Sequence, residues 1–299
     1  MSTAYPLETG TANKAVRKEV IDAAIKQVAA RAYKFKQAVA VVSSSADKST
    51  FFREDLTISS GPIGNLFEGI PRGANFPHSE TNWKEVSVRM VKFGTEMNIP
   101  WEDIISGELN VLSRNLIRRT EEVTKAVDDY IWTQLTSGYG NSSLEISSFA
   151  IVAGKVWNET SCAIIDDLMR ASELISTNGN YDVGDFFCFV SPRDHRSIKN
   201  YIADKGTQWN TLAQGVATNG RVGQVAGITL VESQSVPASY ALVLKPKTCA
   251  TYLQNVPLQS AQTTDDFKSL KIRVVERGCL ELTDPKAVCL IMNTQNANA

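Results

Sequence analysis

The segment ERGCLELTDPKAVCLIMN, residues 276–293, constrains the fold of this chain more than any other stretch. It places two strand-like runs on either side of Asp284-Pro285, and short apolar runs bounded by a turn are typical of strands buried in a sheet. The second run, Ala287 to Met292, is almost entirely apolar. We therefore expect its partner strands to lie far back in the sequence, and the ends of the chain to meet in one core.

A second constraint is an amphipathic helix predicted from Glu108 to Leu135. Its apolar residues follow three- and four-residue steps with Thr120 as the polar break, and they are Leu109, Leu112, Leu116, Val123, Val127 and Ile131. The opposite face carries Arg114, Arg118, Arg119, Glu121, Glu122, Lys125 and Asp128. At 1.5 Å per residue the helix is roughly 40 Å long, which is typical of a spine on which other elements pack.

Ala12 to roughly Val42 is predicted to be another helix, because apolar residues recur near helical spacing. Basic residues lie between them and include Lys14, Arg17, Lys18 and Lys26. Two interpretations of this basic face stay open. It is either ordinary solvated surface or a local contact with a polyanion or an acidic partner.

Between the two helices the pattern predicts two strands separated by a long irregular stretch. FFREDLTI and WKEVSVRMVKFGTEMNI have strand character, whereas residues 59–82 are rich in Pro and Gly and fit neither helix nor strand. A connection this long is uncommon in a compact domain and usually has a function. It carries Phe67, Ile70 and Phe76, which need a surface to bury against.

After residue 148 helices and strands alternate. Ile164 to Ile175 and Pro192 to Ile202 are predicted helices, and DFFCFVS between them is a predicted buried strand. Residues 206–219 are predicted to be an irregular polar loop, and the short strands RVGQVAGITLVES, YALVLKP and TCATYLQNV follow it.

Composition excludes several classes of protein. Charged residues make up 21% of the chain and the net charge is −1, so no global basic field attracts nucleic acid. No apolar run is long enough to span a membrane, and the polar start of the sequence lacks a signal-peptide core, so export is not expected. The five cysteines are odd in number and widely spaced, which favours buried thiols in a reducing compartment over disulfides or a zinc site.

The residues offer little chemistry. The chain has two histidines, His78 in the irregular stretch and His195 beside Asp194, and adjacent helical residues do not face each other. The sequence has no hydrolase elbow, phosphate loop, zinc-protease motif or dinucleotide fingerprint. The carboxylate pair Asp128-Asp129 is predicted to be solvated surface. We predict no catalytic residue, no metal ligand and no cofactor.

The order of these parts resembles the major capsid proteins of the tailed bacteriophages, which have the Hong Kong 97-type fold that encapsulin nanocompartments share. GIPRGANFPHSETNWKEVSVRMVKFGTEMNIPWEDIISGELNVLSRNL resembles that family's extended-loop return strand running into its spine helix. VSPRDHRSIKNY and GRVGQVAGITLVESQSVPASYALVL resemble its axial domain, and ERGCLELTDPKAVCLIMN resembles the closing strands of its peripheral domain.

The resemblance implies an α+β, Hong Kong 97-like capsid fold with an N-terminal arm, an extended loop, a spine helix, a peripheral domain and an inserted axial domain. The implied boundaries are residues 1–50 for the arm and its helix, 51–85 for the two-stranded extended loop, 86–158 for the peripheral domain with the spine helix at 108–135, 159–254 for the axial domain, and 255–299 for the return strands of the peripheral domain. It also implies a structural protein rather than an enzyme.

The resemblance further implies pentamers and hexamers that close into an icosahedral shell around double-stranded DNA. The extended loop would lie over a neighbouring subunit and bury Phe67, Ile70 and Phe76. The loop at the capsomer axis would include Lys205, Trp209 and Asn210. The basic helix would face inward and meet packaged DNA without sequence preference, through Lys14, Arg17, Lys18 and Lys26. Assembly would use a separate scaffolding protein or proceed alone, in the host cytoplasm and without a membrane, to give a virion.

Two other functions stay open at this point. An encapsulin-type shell would hold protein cargo in place of DNA, and chain length does not separate it from a phage capsid. An enzyme, such as a hydrolase that uses His195, is the third alternative.

Overall fold

The structure is a computed structural model that describes residues 18–54, 72–73, 83–100, 102, 109–137, 146–179, 181–182, 184–204, 223–265 and 269–295. Within them, the helices are α1 (Lys18–Ala32), α2 (Phe35–Ala38), α3 (Leu109–Thr136), α4 (Ile164–Gly179) and α5 (Pro192–Asp204). The strands are β1 (Ala40–Ser43), β2 (Lys48–Glu54), β3 (Trp83–Arg89), β4 (Val91–Pro100), β5 (Ser147–Ala150), β6 (Phe186–Val190), β7 (Gln224–Val225), β8 (Ile228–Glu232), β9 (Tyr240–Leu244), β10 (Ala250–Asp265), β11 (Ser269–Leu282) and β12 (Val288–Met292).

A four-stranded sheet in the order β1-β10-β11-β4 packs on the spine helix α3. β1 runs parallel to β10, and the other neighbouring strands are antiparallel. One apolar core joins α1, α2, α3 and the inward face of the sheet, and it includes Ile25, Phe35, Val127, Ile131, Ile272 and Val274. The apolar stripe of the spine helix therefore lies against a sheet, as the spacing predicts.

A six-stranded sheet has the order β5-β12-β9-β6-β8-β7. Its strand β12 lies between β5 and β9, and its alternate residues face two different cores. Val288 and Leu290 pack into the core of the spine helix, whereas Cys289 and Ile291 pack with α4 and α5. β12 is almost entirely apolar because both of its faces are covered.

The two closing strands divide between the two sheets. β12 pairs with β5, which lies far back in the chain, as expected for the last apolar run, and also with the nearer β9. β11 pairs with the early strand β4. β12 joins the six-stranded sheet, which corrects the expectation that both strands return to the domain of the spine helix. Its apolar sequence suits a strand that is covered on both faces. The four-stranded sheet is covered by the spine helix on one face. The domain boundaries given above stay a prediction.

Strands β2 and β3 form a separate two-stranded antiparallel ribbon. The sequence predicts one alternating strand from Trp83 to Ile99, but the structure divides it at Met90 into β3 in the ribbon and β4 in the sheet. The side chains that face the interior also change at this point. They are at even-numbered positions before it, as at the half-buried Val88, and at odd-numbered positions after it, as at the buried Met97. Two strands flanking the irregular stretch are thus confirmed, with a step between ribbon and sheet.

The N-terminal helix is shorter than predicted. α1 ends at Ala32 and residues 40–43 form strand β1, so the continuous helix predicted to Val42 is wrong. The sequence AVVS favours a strand because β-branched side chains suit a pleated surface. The carboxylate of Asp128 also accepts hydrogen bonds from the backbone N–H of Lys34, in the break between α1 and α2, and from that of Lys36, in the first turn of α2. Both causes end the helix before β1.

The spine helix and the later helices lie within a few residues of their predicted positions. The spine, predicted at 108–135, occupies Leu109–Thr136, and the helices predicted from Ile164 and Pro192 begin at those residues. Asp128 is the exception on the charged face of the spine, because it is 2% exposed. The prediction that it is solvated is wrong.

Four cysteines are buried thiols in the core: Cys188, Cys249, Cys279 and Cys289. Burial raises the pKa of the Cys249 and Cys289 thiols to about 12, so both stay protonated at neutral pH. This confirms the structural role expected for thiols in apolar strands. In the part of the chain that the structure describes, no helix is long and apolar enough to cross a membrane.

Candidate assembly surfaces and a buried polar cluster

His195 lies in the first turns of α5, where the neighbouring polar side chains have structural roles. Ser191 caps this helix, because its hydroxyl donates to Asp194 Oδ2 at 2.6 Å and accepts from the Asp194 backbone N–H at 3.1 Å. His195 Nδ1 instead lies 2.5 Å from Glu232 Oε2. The three residues therefore do not form a Ser-His-Asp relay. Among the described residues, no group of His, Cys, Asp and Glu could hold a metal ion.

A buried polar cluster joins the N-terminal segment to the four-stranded sheet. Glu276 of β11 is fully buried, and its carboxylate accepts hydrogen bonds from the Tyr33 and Tyr252 hydroxyls, the Lys36 ammonium and the Gln254 amide. Lys36 Nζ lies 2.5 Å from Glu276 Oε1 and within 4.4 and 5.0 Å of the Tyr33 and Tyr252 ring centroids. We call these five residues the polar cluster.

The polar cluster supplies what a buried charge requires. A carboxylate moved out of water is costly unless an opposite charge and hydrogen-bond donors surround it, and Glu276 has both. Burial, followed by the Glu276 charge, raises the pKa values of Tyr33 and Tyr252. Both hydroxyls therefore stay protonated and remain donors to the carboxylate.

Gly278 makes room for this arrangement. A Cβ atom at position 278 would lie 2.5 Å from the Tyr252 hydroxyl oxygen and 2.7 Å from the Leu253 carbonyl oxygen. Real Cβ atoms do not approach so closely, and one of these neighbours is backbone. A glycine in β11 therefore lets the Tyr252 ring cross the strand and reach Glu276.

A second buried carboxylate holds the same N-terminal segment. The carboxylate of Asp128 in the spine helix accepts hydrogen bonds from the backbone N–H of Lys34 at 2.7 Å and of Lys36 at 3.3 Å. Burial raises the pKa of Asp128 to about 6, although these hydrogen bonds lower it. Asp128 and the polar cluster thus attach the break between α1 and α2 to both the spine helix and the sheet. Lys36 is used inside the fold and is not part of a basic surface.

The ribbon carries two large exposed aromatic side chains, Phe52 at 62% exposure and Trp83 at 64%. In the antiparallel register Phe52 lies opposite Glu85, and Trp83 is two residues from Glu85, so both aromatic residues share one face. Exposed apolar groups of this size mark interaction surfaces, and a two-stranded ribbon alone is marginally stable in water. We call Phe52 and Trp83 the aromatic pair.

The outward face of the four-stranded sheet holds an apolar groove, which we call the sheet groove. It has a volume of about 450 Å³ and is lined by Met90, Lys92, Val256, Gln259, Ala261, Val275 and Arg277. β10 shifts register twice between Gln254 and Gln259 beside it, and bulges of this kind bend a strand away from its neighbour. The groove therefore follows from an irregularity of β10 that the sequence pattern does not reveal.

Most of the predicted site residues lie outside the described residues. They are Phe67, Ile70 and Phe76 of the loop, Lys205, Trp209 and Asn210 of the axis loop, and Lys14 and Arg17 of the basic helix. Lys18 begins α1, and Lys26 is exposed on it. The roles of all these residues stay predictions.

Sequence reasoning missed the polar cluster and the aromatic pair. The sequence does contain a signal for the cluster. Alternate residues of a strand face the same side, so Glu276 shares a face with the apolar Val274 and Leu280, and its charge is therefore on the buried face. Its partner Lys36 is separated from it by 240 positions, and no local pattern predicts such a pair. Phe52 lies in a predicted strand, but neither face of that strand is apolar enough to suggest which side is exposed.

The sequence matches a known protein family over most of its length. Residues 83–291 match the family described as phage capsid protein. No curated protein matches the sequence.

Solved structures share the fold at low identity. The capsid of the cyanophage P-SCSP1u is 15% identical over 87% of this chain and 88% of that chain, with a TM-score of 0.65. The mature capsid of bacteriophage PhiM1 is 13% identical over 88% of each chain, with a TM-score of 0.59. The virus-like particle from Pyrococcus furiosus is 9% identical over 91% of this chain and 98% of that chain, with a TM-score of 0.60.

Identities this low show the fold alone, and they confirm the α+β capsid fold expected from the sequence. The family match carries more, because it covers most of the chain, including the return strand of the ribbon, the spine helix and every strand of the two larger sheets except β1. The chain therefore belongs to the phage capsid protein family, and it is a structural protein of the virion rather than an enzyme.

Proposed function

We propose that this chain is the major capsid subunit, which assembles through pentamers and hexamers into an icosahedral shell that encloses double-stranded DNA. The match to the phage capsid protein family over residues 83–291 carries the proposal. The similar solved structures are themselves described as capsids or a virus-like particle. The chain is thus a repeated building unit whose function lies in its contacts with copies of itself.

The ribbon supports subunit contact through the extended loop. Its two strands carry the aromatic pair on one exposed face, and Phe67, Ile70 and Phe76 follow in the connection between those strands. A specific interface buries on the order of 1,000 Å² or more, and each large aromatic side chain buries roughly 150–250 Å². The ribbon and its loop together therefore have the apolar residues that such an interface needs.

Packaged DNA would meet the inward face of α1. Lys26 is exposed there, and Lys14, Arg17 and Lys18 lie at or before the start of the same helix. Phosphate contacts of this kind need no base recognition, and they weaken with salt. The axis loop with Lys205, Trp209 and Asn210 would line the centre of each capsomer. A separate scaffolding protein would guide closure in the host cytoplasm.

A shell that holds protein cargo is the second candidate. The likeness to the virus-like particle from Pyrococcus furiosus over 98% of that chain favours it, because the fold alone does not distinguish the two contents. The family match favours the phage capsid.

Particles isolated from the native host and treated with nuclease distinguish these two functions. The proposal expects protected double-stranded DNA inside closed icosahedral particles, with this chain as the main protein. Particles that contain a second stoichiometric protein and no protected DNA would support the cargo shell instead.

The inner-surface contact has its own test, which uses binding of unassembled subunits to double-stranded DNA at several salt concentrations. Lys26→Gln is expected to weaken binding and reduce its salt dependence, because one phosphate contact is lost. Lys155→Gln is the matched control, since Lys155 is exposed but lies in the loop before α4. Equal effects of the two substitutions would argue against α1 as the contact.

A further inference from the structure

We infer that strand β1 of one copy pairs antiparallel with β1 of a second copy across a two-fold axis, so that the four-stranded sheets of the two copies join edge to edge. This inference rests on the proposed function, because it assigns a contact between copies of this chain. It concerns the edge of the sheet, and neither the ribbon nor the sheet groove takes part in it.

The outer side of β1 is an open sheet edge. β1 is the end strand of the four-stranded sheet, and no other strand of the described residues lies beside it there. Val41 is 45% exposed and Val42 is 48% exposed. Adjacent residues of a strand point to opposite faces, so apolar side chains are accessible on both faces of β1. A strand edge of this kind is a template for pairing with another strand.

The opposite edge of the same sheet is protected against such pairing, whereas β1 is not. The edge strand β4 contains Lys92, Glu96 and Pro100, and charged residues and proline are devices by which proteins prevent edge-to-edge pairing. From Gln37 to Ala46 the chain has no charged residue and no proline. The sequence around β1 therefore leaves this edge available to another strand.

The hydrogen bonds to β10 show which backbone groups of this segment point outward. The N–H of Ser44, directly after β1, donates to the Gln254 carbonyl at 3.0 Å, and the Ser44 carbonyl accepts from the Asn255 side-chain amide at 3.0 Å. The N–H and C=O of one strand residue point to the same side, and that side alternates along the strand. The even-numbered residues of β1 therefore bond to β10, and Val41 and Ser43 direct their N–H and C=O groups outward.

A second copy of β1 fits these outward groups. When Val42 lies opposite Val42 of the second copy, Val41 of each copy lies opposite Ser43 of the other, and the outward groups of these residues bond to each other. The facing Val42 residues form the pair without backbone hydrogen bonds, with Cα atoms about 4.5 Å apart. The edge carries no charge that would repel its own copy or select a charged partner. Because both sides of the contact are identical, it obeys two-fold symmetry.

The size of the contact indicates where it acts. β1 contributes four residues, which is far fewer than the roughly 20–30 residues a side of a stable interface. The pairing is therefore expected between copies that other contacts have already brought together, where the effective concentration is high. A two-fold contact joins two copies only, so it links one ring of subunits to the next rather than building a ring.

Disulfide trapping tests the pairing and its register. Subunits of Val42→Cys and of Val41→Cys are oxidised in air with copper phenanthroline, both assembled and unassembled, and linked dimers are separated on a non-reducing gel. Val42→Cys is expected to give at least about tenfold more dimer than Val41→Cys, because its two thiols face each other at a Cα separation that a disulfide spans.

Val41→Cys is the matched control for this experiment. Val41 lies in the same strand and has nearly the same exposure as Val42. In the proposed register the two Val41 residues stand diagonally about 7–8 Å apart, which is too far for a disulfide without movement of the backbone. Wild-type protein under the same oxidation measures the background from the half-buried native thiol of Cys162.

A second test removes an outward backbone donor. Ser43→Pro deletes an N–H that the pairing uses and the β10 ladder does not, and proline is tolerated in an edge strand at such a position. Closed particles are expected to decrease about tenfold in sedimentation velocity while rings accumulate, because the linking strand contact is lost. Ser43→Ala keeps the N–H and is expected to assemble like the wild type. Circular dichroism checks that both variants are folded.

The outcomes separate the pairing from the proposed function. Equal dimer yields from Val42→Cys and Val41→Cys, or no dimer from Val42→Cys in either state, would overturn the pairing, and particles that still form would leave the proposed function intact. Ser43→Pro particles at the wild-type yield would also overturn the pairing. Wild-type subunits that never assemble would contradict the proposed function, whereas Val42→Cys dimers trapped from such subunits would still support the pairing.

Discussion

At the scale of single residues, Glu276 decides how the N-terminal segment attaches to the sheet. Its carboxylate is fully buried and pairs with Lys36 at 2.5 Å. Removal of one partner from such a pair leaves an uncompensated buried charge. Glu276→Gln is therefore expected to reduce the free energy of unfolding of the unassembled subunit by about 3–5 kcal/mol, measured by urea denaturation.

Two further variants make this prediction specific. Glu122→Gln is the control, because Glu122 pairs with Arg119 at the surface and exposed pairs contribute about 1 kcal/mol or less. Lys36→Met combined with Glu276→Gln removes the unpaired ammonium and should be more stable than Glu276→Gln alone. A loss for Glu276→Gln no larger than for Glu122→Gln would mean that the cluster is not a buried ion pair.

Asp128 makes the stability of the fold depend on pH. Its pKa is raised from 3.8 to about 6 in the folded state, so the folded chain binds this proton more tightly than the unfolded chain does. Protonated Asp128 therefore favours folding, and this stabilisation is lost as the pH rises from about 4 through about 6.

Comparison with Asp128→Asn isolates this effect from other titrating groups. The difference in unfolding free energy between the wild type and the variant is expected to shift against the wild type by about 3 kcal/mol between pH 4 and pH 7. Asparagine keeps an acceptor for the Lys34 N–H. A difference that stays constant across this pH range would contradict the raised pKa.

Gly278 is predicted to be required for the polar cluster. Gly278→Ala places a Cβ against Tyr252 and the Leu253 carbonyl and is expected to cost about 1–3 kcal/mol of unfolding free energy, as other overpacking substitutions do. The control is Gly223→Ala, since a Cβ at Gly223 meets nothing within 4 Å. Thermal denaturation of the two variants measures the difference, and equal melting temperatures would refute the proposed close approach.

At the scale of elements, the spacing of apolar residues correctly predicted the helices whose positions depend on nearby residues. The spine helix and the starts of α4 and α5 follow from apolar residues at helical spacing and from a proline in the first turn. The end of α1 was not predictable in this way, because the carboxylates that hold the break belong to Asp128 and Glu276, far along the chain. The placement of β12 in the six-stranded sheet likewise depends on the elements that pack on its two faces. A run of apolar residues does not reveal which elements those are.

The same limit applies to the candidate surfaces. A resemblance in the order of elements indicated the capsid fold, but it gave no means of selecting Phe52 and Trp83 over other aromatic residues. Their selection needed the register of β2 and β3 and the exposure of each side chain. The sheet groove needed the register shifts of β10.

The ribbon as an element is predicted to be stable chiefly when subunits assemble. Its two strands have no third strand among the described residues, and isolated two-stranded ribbons are marginal in water. Amides of residues 48–54 and 83–89 are therefore expected to exchange with solvent much faster in unassembled subunits than in particles. Hydrogen exchange followed by mass spectrometry measures this, with the central strands β10 and β11 as an internal control that is protected in both. Equal ribbon exchange in the two states would show that assembly does not cover it.

At the scale of the whole molecule, the fold is organised to present surfaces rather than a site for chemistry. Two sheets share a continuous apolar core with the spine helix, and the buried charges fasten the N-terminal segment to it. The exposed apolar side chains include Phe52 and Trp83 on the ribbon, and an apolar groove lies on the sheet. Exposed apolar surfaces of this kind suit a subunit that assembles with copies of itself.

Electron microscopy of the purified protein, together with sedimentation velocity, determines whether this chain assembles with copies of itself. We predict closed shells, or rings of five and six subunits, for the wild type and for the control Val152→Ser, whose exposed side chain follows β5, but not for Trp83→Ser at the same concentration. Wild-type protein that remains a folded single subunit at every concentration, with and without a co-expressed scaffolding protein, would contradict it.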